Sequence, residues 1–561
     1  MRNLRFIALA LAMCICRTGY VTAQDIQNVK PVKNLIILIP DGCSLASVST
    51  ARWYQWMQNP DMPKLSIDPY LCGTVRTTCS NAPIGDSAPT TSCYMTGYPS
   101  LKGWVSTYPI AHPESDIYPM DSARAYQPLT TLLEATRLMM GKSIGLVSTC
   151  VFNHATPADC TSHCYNRNNG LAIANQMIHN GIDVLIGGGT RMVTPELQSF
   201  LTDNGWAVLK DDAAGMRTCD SRKMWALFRP NDMSYDIDRD PQKEPSLAEM
   251  TQVAIRHLSQ DEDGFVIMVE GSEVDFAAHD NDPIGIVTEF LAFDRACKVA
   301  LDFAKQNGET AVVILPDHGN SGLSIGRRDN GNYAGTPKQD LFGALHKMKA
   351  SSGAVARRLN SAPFEQAQDI FQELCGFKLT DKELEALKNH KGYGSSPIKR
   401  EDRKPVAGYN SSFNRMIAQF MTERTGLAFT TNGHTGEDVF LAAYHPDNAS
   451  RPSGMLTNVE LNHYLCSVTG LTHDILDSLT NANFAPHADV FKDIKGLKTT
   501  MDGKSLTLKY KKNTIVFTPN TNVVTVNGKE EIIPTVVVYV DKNQTYYVPR
   551  AFRERILAKN K

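Results

Sequence analysis

The chain has 561 residues, 42% hydrophobic and 21% charged, with 29 Pro and 38 Gly. These are ordinary globular proportions, and the length leaves room for a large core plus at least one accessory unit. A net charge of −2 and a pI near 6.7 give no reason to expect nucleic acid as a dedicated partner.

Arg2 and Arg5 precede an apolar run from Phe6 to Cys16, and Val21-Thr22-Ala23 places small residues at −3 and −1 of a cut. Residues 1–23 therefore read as a secretory signal peptide, and the mature protein is expected to be periplasmic or secreted. Leu11-Ala12-Met13-Cys14 loosely matches a lipoprotein box, but Met13 is bulky where a small residue belongs, so lipid anchoring ranks second. No later segment approaches the length of a membrane span. Of 13 cysteines, Cys14 and Cys16 fall in the leader, and the odd remainder shows no Cys-x2-Cys zinc spacing. Cys160 and Cys164 could share a helix face; no disulfide is assigned.

Beyond the leader, short apolar runs recur. NLIILIP (34–40) ends at Asp41-Gly42, Ile144 to Thr149 follows, and DVLIGGG (183–189) brings glycine backbone to a strand end. FVIMVEGSEVDFAAHD (265–280) passes from an apolar run straight into Glu270, then Asp275 and His279 four residues apart, which project from one side of a helix or turn. AVVILPDHG (311–319) closes the series. PLTTLLEATRLM (128–139) and EFLAFDRACKVALDFAKQ (289–306) have apolar residues three and four apart. Such alternation predicts an α/β fold: a doubly wound, mostly parallel sheet with helices on both faces. Ligands gather beyond the carboxyl ends of such strands. Asp41, Glu270, Asp317 and His318 all fall there.

Residues 330–425 read as a helical insert or lid, with PFEQAQDIFQELCG (363–376) and a capping box at Thr380–Glu383. From residue 485 the pattern turns β-rich, with Asp-Gly and Asn-Gly turns and a closing helix AFRERILAK. Residues 485–561 hold 14 Lys/Arg against 7 Asp/Glu, a net +7 that leaves −9 on the remainder. This small basic module is expected to attach or stabilise, and it could contact an anionic surface, although a solvated face is the simpler reading. Its VTVNGKE…TYYVPRAFRERIL pattern resembles small modules of the copper-amine-oxidase N-terminal type, which implies no copper chemistry.

Further polar residues lie in GDSAPTTSCYMTG (85–97), CVFNHATPADC (150–160), SHCYNRNN (162–169) and TNGHTGED (431–438). Taken in order, Asp41-Gly42, Asp86-Ser87-Ala88, His154-Ala155-Thr156-Pro157-Ala158, Asn166-Arg167-Asn168, Ile186 to Gly189, Pro245 to Thr251, Glu270 to His279, Asp317-His318 and Gly433 to Gly436 resemble the alkaline phosphatase family across residues 34–475.

The resemblance implies a phosphate-monoester hydrolase with two zinc ions and one magnesium, acting through a phosphoserine. Asp275, His279 and His434 would hold one zinc, and Asp41, Asp317 and His318 the second, mixed N/O sets that leave catalytic zinc an open position. Asp41, Thr156 and Glu270 would form the all-oxygen magnesium site. His154 would belong to that third metal site, hydrogen-bonding a retained water from behind it or rotating in to ligate directly. Ser87 would be the nucleophile, Arg167 would grip the phosphate, and Asp86 would hold Arg167. His163 and Cys164 are left as packing. Phe276 stands where the family carries a basic or imidazole side chain, so water-mediated help for the phosphate would be missing. The resemblance also fits a homodimer, which no residue here requires.

Two other readings compete. A phosphodiesterase of the same superfamily would have its second ester substituent crowd the oxygens that Arg167 holds. A catalytically silent surface-binding protein would have no need of the nucleophile and every candidate ligand. Ser87 also begins Ser-x-Pro-x, as in sulfatases, but Thr91 occupies the position of that motif's arginine. Asp317-His318-Gly319-Asn320 is shared with cofactor-independent mutases, against which the leader and Arg167 favour hydrolysis.

Overall fold

Asn34–Pro40 forms a strand, β1, in which every residue is buried. Its side chains alternate between two apolar cores: Ile36 and Leu38 enter one, while Leu35, Ile37 and Ile39 enter the other. A strand covered on both faces needs apolar residues at every position, so its sequence is an unbroken apolar run.

The computed structural model describes residues 28–390, 393 and 412–558. After β1 come β2 (Leu71–Arg76), β3 (Ser143–Val151), β4 (Val184–Gly188), β5 (Ala207–Lys210), β6 (Met224–Leu227), β7 (Phe265–Gly271) and β8 (Thr310–Ile314). A short antiparallel pair, β9 (Gly319–Asn320) and β10 (His434–Thr435), precedes β11 (Val439–Tyr444) and β12 (Gly454–Thr457). The main sheet has ten strands in the order β12-β2-β11-β8-β1-β7-β3-β4-β6-β5. Only β11 runs antiparallel to its neighbours, β2 and β8. In the middle of the sheet Ile39 lies level with Glu270, and Glu270 level with Ser148. The carboxyl ends of β1, β7 and β3 therefore open at one height, with β8 alongside.

Helices cover both faces: α1 (Leu45–Gln58), α2 (Ser87–Thr96), α3 (Leu132–Met140), α4 (Ala155–Ala158), α5 (Leu247–Leu258), α6 (Glu273–Asp280) and α7 (Gly285–Asn307). On α7, Phe290, Phe293, Ala296, Cys297, Ala300, Leu301 and Ala304 make the buried stripe that seats it on the sheet. Among the described residues between 338 and 422, five α-helices extend the same core with Phe342, Leu359, Phe371, Leu387, Ile417 and Phe420. Thr380 and Glu383 form the expected capping box there.

Past residue 484, five antiparallel strands and a helix, Phe552–Leu557, enclose a separate core that includes Leu506, Leu508, Ile515, Phe517 and Ile556. A three-stranded sheet of Ala485–Pro486, Val538–Val540 and Thr545–Val548 lies beside it. Val536, Val538, Val540 and Tyr547 pack with Phe484 against Tyr126 and Tyr165 of the main body.

The expected leader, residues 1–23, with Cys14, lies outside the described residues, as do positions 391–392 and 394–411 of the insert. All eleven cysteines among the described residues are unpaired. No described helix is long and apolar enough to cross a membrane.

Candidate active site

The sheet delivers the candidate residues to one place. Asp41 follows β1, Glu270 sits near the end of β7, and Asp317-His318 follow β8. Thr156 is on α4 after β3, and Asp275 and His279 are on α6 after β7. His434 reaches the group because β10 pairs with β9, opposite Asn320. Ser87 is the first residue of α2, with Asp86 at its N-cap.

Ser87 Oγ lies 3.3 Å from His318 Nε2 and 3.4 Å from Asp41 Oδ1. His318 Nε2 is also 3.4 Å from both Asp41 Oδ1 and Asp317 Oδ2. His279 Nε2 lies 3.3 Å from Asp275 Oδ2, and the His434 ring is stacked on His318 at 3.8 Å between centroids. Thr156 Oγ1 is 3.3 Å from Asp41 Oδ2.

The far side of each ring fixes its tautomer. His318 Nδ1 faces Gly319 O at 3.0 Å, His279 Nδ1 faces Asn432 O at 2.6 Å, and His434 Nδ1 faces Gly85 O at 2.9 Å. A carbonyl accepts only from a protonated nitrogen, so Nδ1 carries a proton in each ring and Nε2 is the atom turned to the acidic cluster. Burial opposes a charge on His279, but Asp275 raises its pKa to about 9, so without an ion a proton lies between the two; a bound cation would take that proton's place. A tetrahedral ion with arms of about 2.0–2.1 Å holds its donor atoms about 3.3 Å apart. Asp275, His279 and His434 form one set that could hold a cation; Asp41, Asp275 and His318, with Asp317 adjacent, form a second.

Charge makes the same demand. Burial, reinforced by Asp317, Asp275 and Glu270, raises Asp41 well above the usual carboxylate range. Burial, with help from Asp317, pushes Glu270 up to about 8. Asp317 is also raised, by burial first. Burial works against Asp275 too, but His279, His434 and His318 hold its carboxyl far below the ordinary range. Glu270 Oε1 and Asp317 Oδ2 are buried without a hydrogen-bond partner. Buried carboxylates this close repel unless cations lie among them, so the donor set fits divalent metals.

Arg167 stands at the rim. Its Nη1 donates to Asp86 Oδ1 at 3.1 Å, and its Nη2 lies 3.0 Å from His154 Nε2. Burial opposes ionisation of Asp86, yet Arg167, His434 and His318 hold it below its ordinary value. Burial, and then Arg167, press His154 down to about 3. Because Nε2 accepts from the guanidinium, the proton of neutral His154 sits on Nδ1, which is buried and without a partner. Phe276 meets the His154 ring edge to face at 5.6 Å, filling the space beside it with a phenyl ring. His163, close by, pairs with Glu134 at 3.1 Å and packs on Phe484.

Several partners lay beyond sequence reasoning. Cys150 Sγ lies 3.6 Å from Glu270 Oε2 and groups with His154 at the third donor set. Alternation from Ser148 gave no signal for it, because the register of β3 shifts between Val147 and Val151. Asn320 Nδ2 donates to Asp275 Oδ1 at 2.7 Å. The carbonyls of Gly85, Gly319 and Asn432 have no signature, since any residue supplies one.

A family model described as alkaline phosphatase matches residues 32–471. The chain belongs to the alkaline phosphatase family. It is 30% identical over 451 residues to alkaline phosphatase 3 of Bacillus subtilis (strain 168), covering 77% of this chain and 88% of that protein. It is 27% identical over 518 residues to the repressible alkaline phosphatase of Saccharomyces cerevisiae, covering 82% and 84%. The crystal structure of a cold-active alkaline phosphatase from a psychrophilic Shewanella superposes with a TM-score of 0.65 at 28% identity. That match covers 78% of this chain and 99% of the other. The residues matched by the family model span the main sheet and its helices.

Proposed function

We propose that this member of the family hydrolyses phosphate monoesters through a phosphoserine at Ser87, with two zinc ions and one magnesium. The observation that carries the reading is Ser87 Oγ, 3.3 Å from His318 Nε2 and 3.4 Å from Asp41 Oδ1 at the N-terminus of a wholly buried helix. Asp275, His279 and His434 would hold one zinc, Asp41, Asp317 and His318 the second, and Asp41, Thr156 and Glu270 the magnesium. When bound, such ions would supply Lewis-acid stabilisation of the serine alkoxide and the leaving oxygen.

The chain's own residues do the rest. The first turn of α2 offers its dipole to the charge that develops on Ser87 Oγ and the incoming phosphoryl group. Arg167 takes two phosphoryl oxygens with its planar fork, and Asp86 keeps that fork in place through Oδ1. A diester would place a bulky substituent on one of those oxygens, so monoesters fit better. His154 holds the other side of the guanidinium, and its buried, partnerless Nδ1–H would donate to a water retained by the magnesium. Residues 24–484 would carry this chemistry, with residues 485–561 accessory to it. The leader-like residues 1–23 support export to the periplasm or beyond.

Acid-quenched enzyme incubated with substrate is expected to carry phosphate on the peptide containing Ser87. Ser87→Ala should abolish that label and lower turnover by about 10³-fold or more while inorganic phosphate still binds. Phosphate on another residue would reassign the nucleophile.

A further inference from the structure

Arg167 is not held by Asp86 alone. Residues 103–105 and 164–167 form a narrow antiparallel ribbon. Val105 and Cys164 exchange backbone hydrogen bonds of 2.7 and 2.9 Å, and Arg167 N donates to Gly103 O at 2.8 Å. Gly103 N in turn donates to Asp86 Oδ2 at 3.0 Å. The ribbon thus ties together the two residues at the rim, Asp86 and Arg167.

Its two aromatic side chains, Trp104 and Tyr165, meet Tyr126 in a trio. Trp104 stacks on Tyr126 at 4.9 Å, and Tyr165 stands edge-on to both, at 5.9 and 5.7 Å. Tyr126 adopts φ +67°, a left-handed conformation that a tyrosine keeps only where its surroundings enforce it. Those surroundings come from beyond residue 484. Val536, Val538, Val540 and Tyr547 pack against Tyr126 and Tyr165, and the Tyr165 hydroxyl donates to the carboxylate of Asp541. Asp541 occupies the turn between the strands Val538–Val540 and Thr545–Val548. Tyr547 Oη also donates to Ala125 O, beside Tyr126, at 3.4 Å.

We propose that Asp541 and Tyr165 are positioning residues for Arg167. Through them the C-terminal sheet holds the ribbon that presents the guanidinium to phosphate. The inference rests on the reading of Arg167 as the phosphate-binding residue. It gives the C-terminal residues a part in substrate binding although none of the described ones reaches the site. Within the ribbon the two segments are joined by one bridged pair, Val105 and Cys164, and by the Arg167 N–Gly103 O bond, so the side nearest Trp104 and Tyr165 leans on the C-terminal sheet.

The test uses the full-length metal-loaded enzyme, with inorganic phosphate as the inhibiting probe. Tyr165→Phe and Asp541→Ala are each expected to weaken phosphate inhibition and raise KM by about three- to ten-fold. Their kcat, metal content and thermal midpoint should stay near wild type. Asp541→Asn, whose amide oxygen still accepts from Tyr165, should recover part of the loss. In an Arg167→Ala background the same substitutions should change nothing further, because their effect passes through the missing guanidinium. Unchanged inhibition in Tyr165→Phe and Asp541→Ala would overturn the proposal, as would an equal effect with Arg167 absent. If Arg167→Ala alone left phosphate inhibition intact, the reading of Arg167 itself would fall, and the proposal with it.

Discussion

Glu134 lies at the centre of a buried network beneath the ribbon. Its carboxylate accepts from Thr131 N at 2.8 Å and Asn180 Nδ2 at 2.6 Å, and pairs with His163 Nε2 at 3.1 Å. His163 Nδ1 faces Ser106 O at 3.3 Å, so the network reaches the residue that follows Val105. Burial opposes the charge of Glu134, but His163, then Asn180 and Thr131, keep its pKa below the ordinary 4.5. A depressed carboxylate stabilises the fold fully above its unfolded pKa, and that contribution disappears as pH falls through the folded one. Glu134→Ala is therefore expected to cost about 3–5 kcal/mol at pH 7, since it strands His163 and Asn180 in the interior. The gap between Glu134→Gln and wild type should narrow below about pH 4. Chemical denaturation at both pH values checks this; a pH-independent gap would show that the carboxylate is protonated in the fold.

At the scale of elements, the turn after β1 brings backbone hard against a candidate ligand. Gly42 has φ +63°, and a Cβ there would lie 2.2 Å from Asp275 Oδ1. Its N–H donates to Asp317 Oδ1 at 3.0 Å, so one residue aligns two candidate ligands. Gly42→Ala adds about 1 kcal/mol of backbone strain and must push Asp275 away. Purified Gly42→Ala is expected to retain its secondary structure by circular dichroism but bind less metal and lose about 10²-fold in activity. Full metal content with full activity would show that Asp275 is free to move. These strand ends were legible in the sequence for a physical reason. A parallel strand buried on both faces must be apolar throughout, so the first acid after the run marks its end, as Asp41 and Glu270 do. In the C-terminal sheets alternation did the same service, with Leu506, Leu508, Ile515 and Phe517 turned inward. The ribbon was not legible, because two bridged positions are too few to show a period. Nor was the docking of Tyr126 and Tyr165, since half-exposed tyrosines look alike whether or not they are covered. His154 was a third case: its orientation depends on Phe276, which is far from it in sequence, and on Arg167.

For the molecule as a whole, the candidate metal donors arrive from segments spread between Asp41 and His434, and nothing apolar binds them to one another. The main cores lie on either side of the sheet, below the strand ends, whereas the site above them gathers buried carboxylates that repel. Bound cations would therefore be the principal attraction at that end of the sheet. Ions present at about 100 times their dissociation constant would stabilise the fold by roughly 2.7 kcal/mol per site. Chelation should lower the thermal midpoint of the main body and, before it melts, speed amide exchange in α6 and β9–β10, which carry or flank His279, Asp317 and His434. The hairpins between Leu506 and Val526 close over their own core, so their protection should persist. Hydrogen exchange with and without chelator, read out by peptide, separates the two regions. Equal protection loss in both would mean that the metals stabilise the whole chain as one cooperative unit. No loss near His279 and His434 would mean that the site is rigid without its ions, contrary to the repulsion that its buried carboxylates imply.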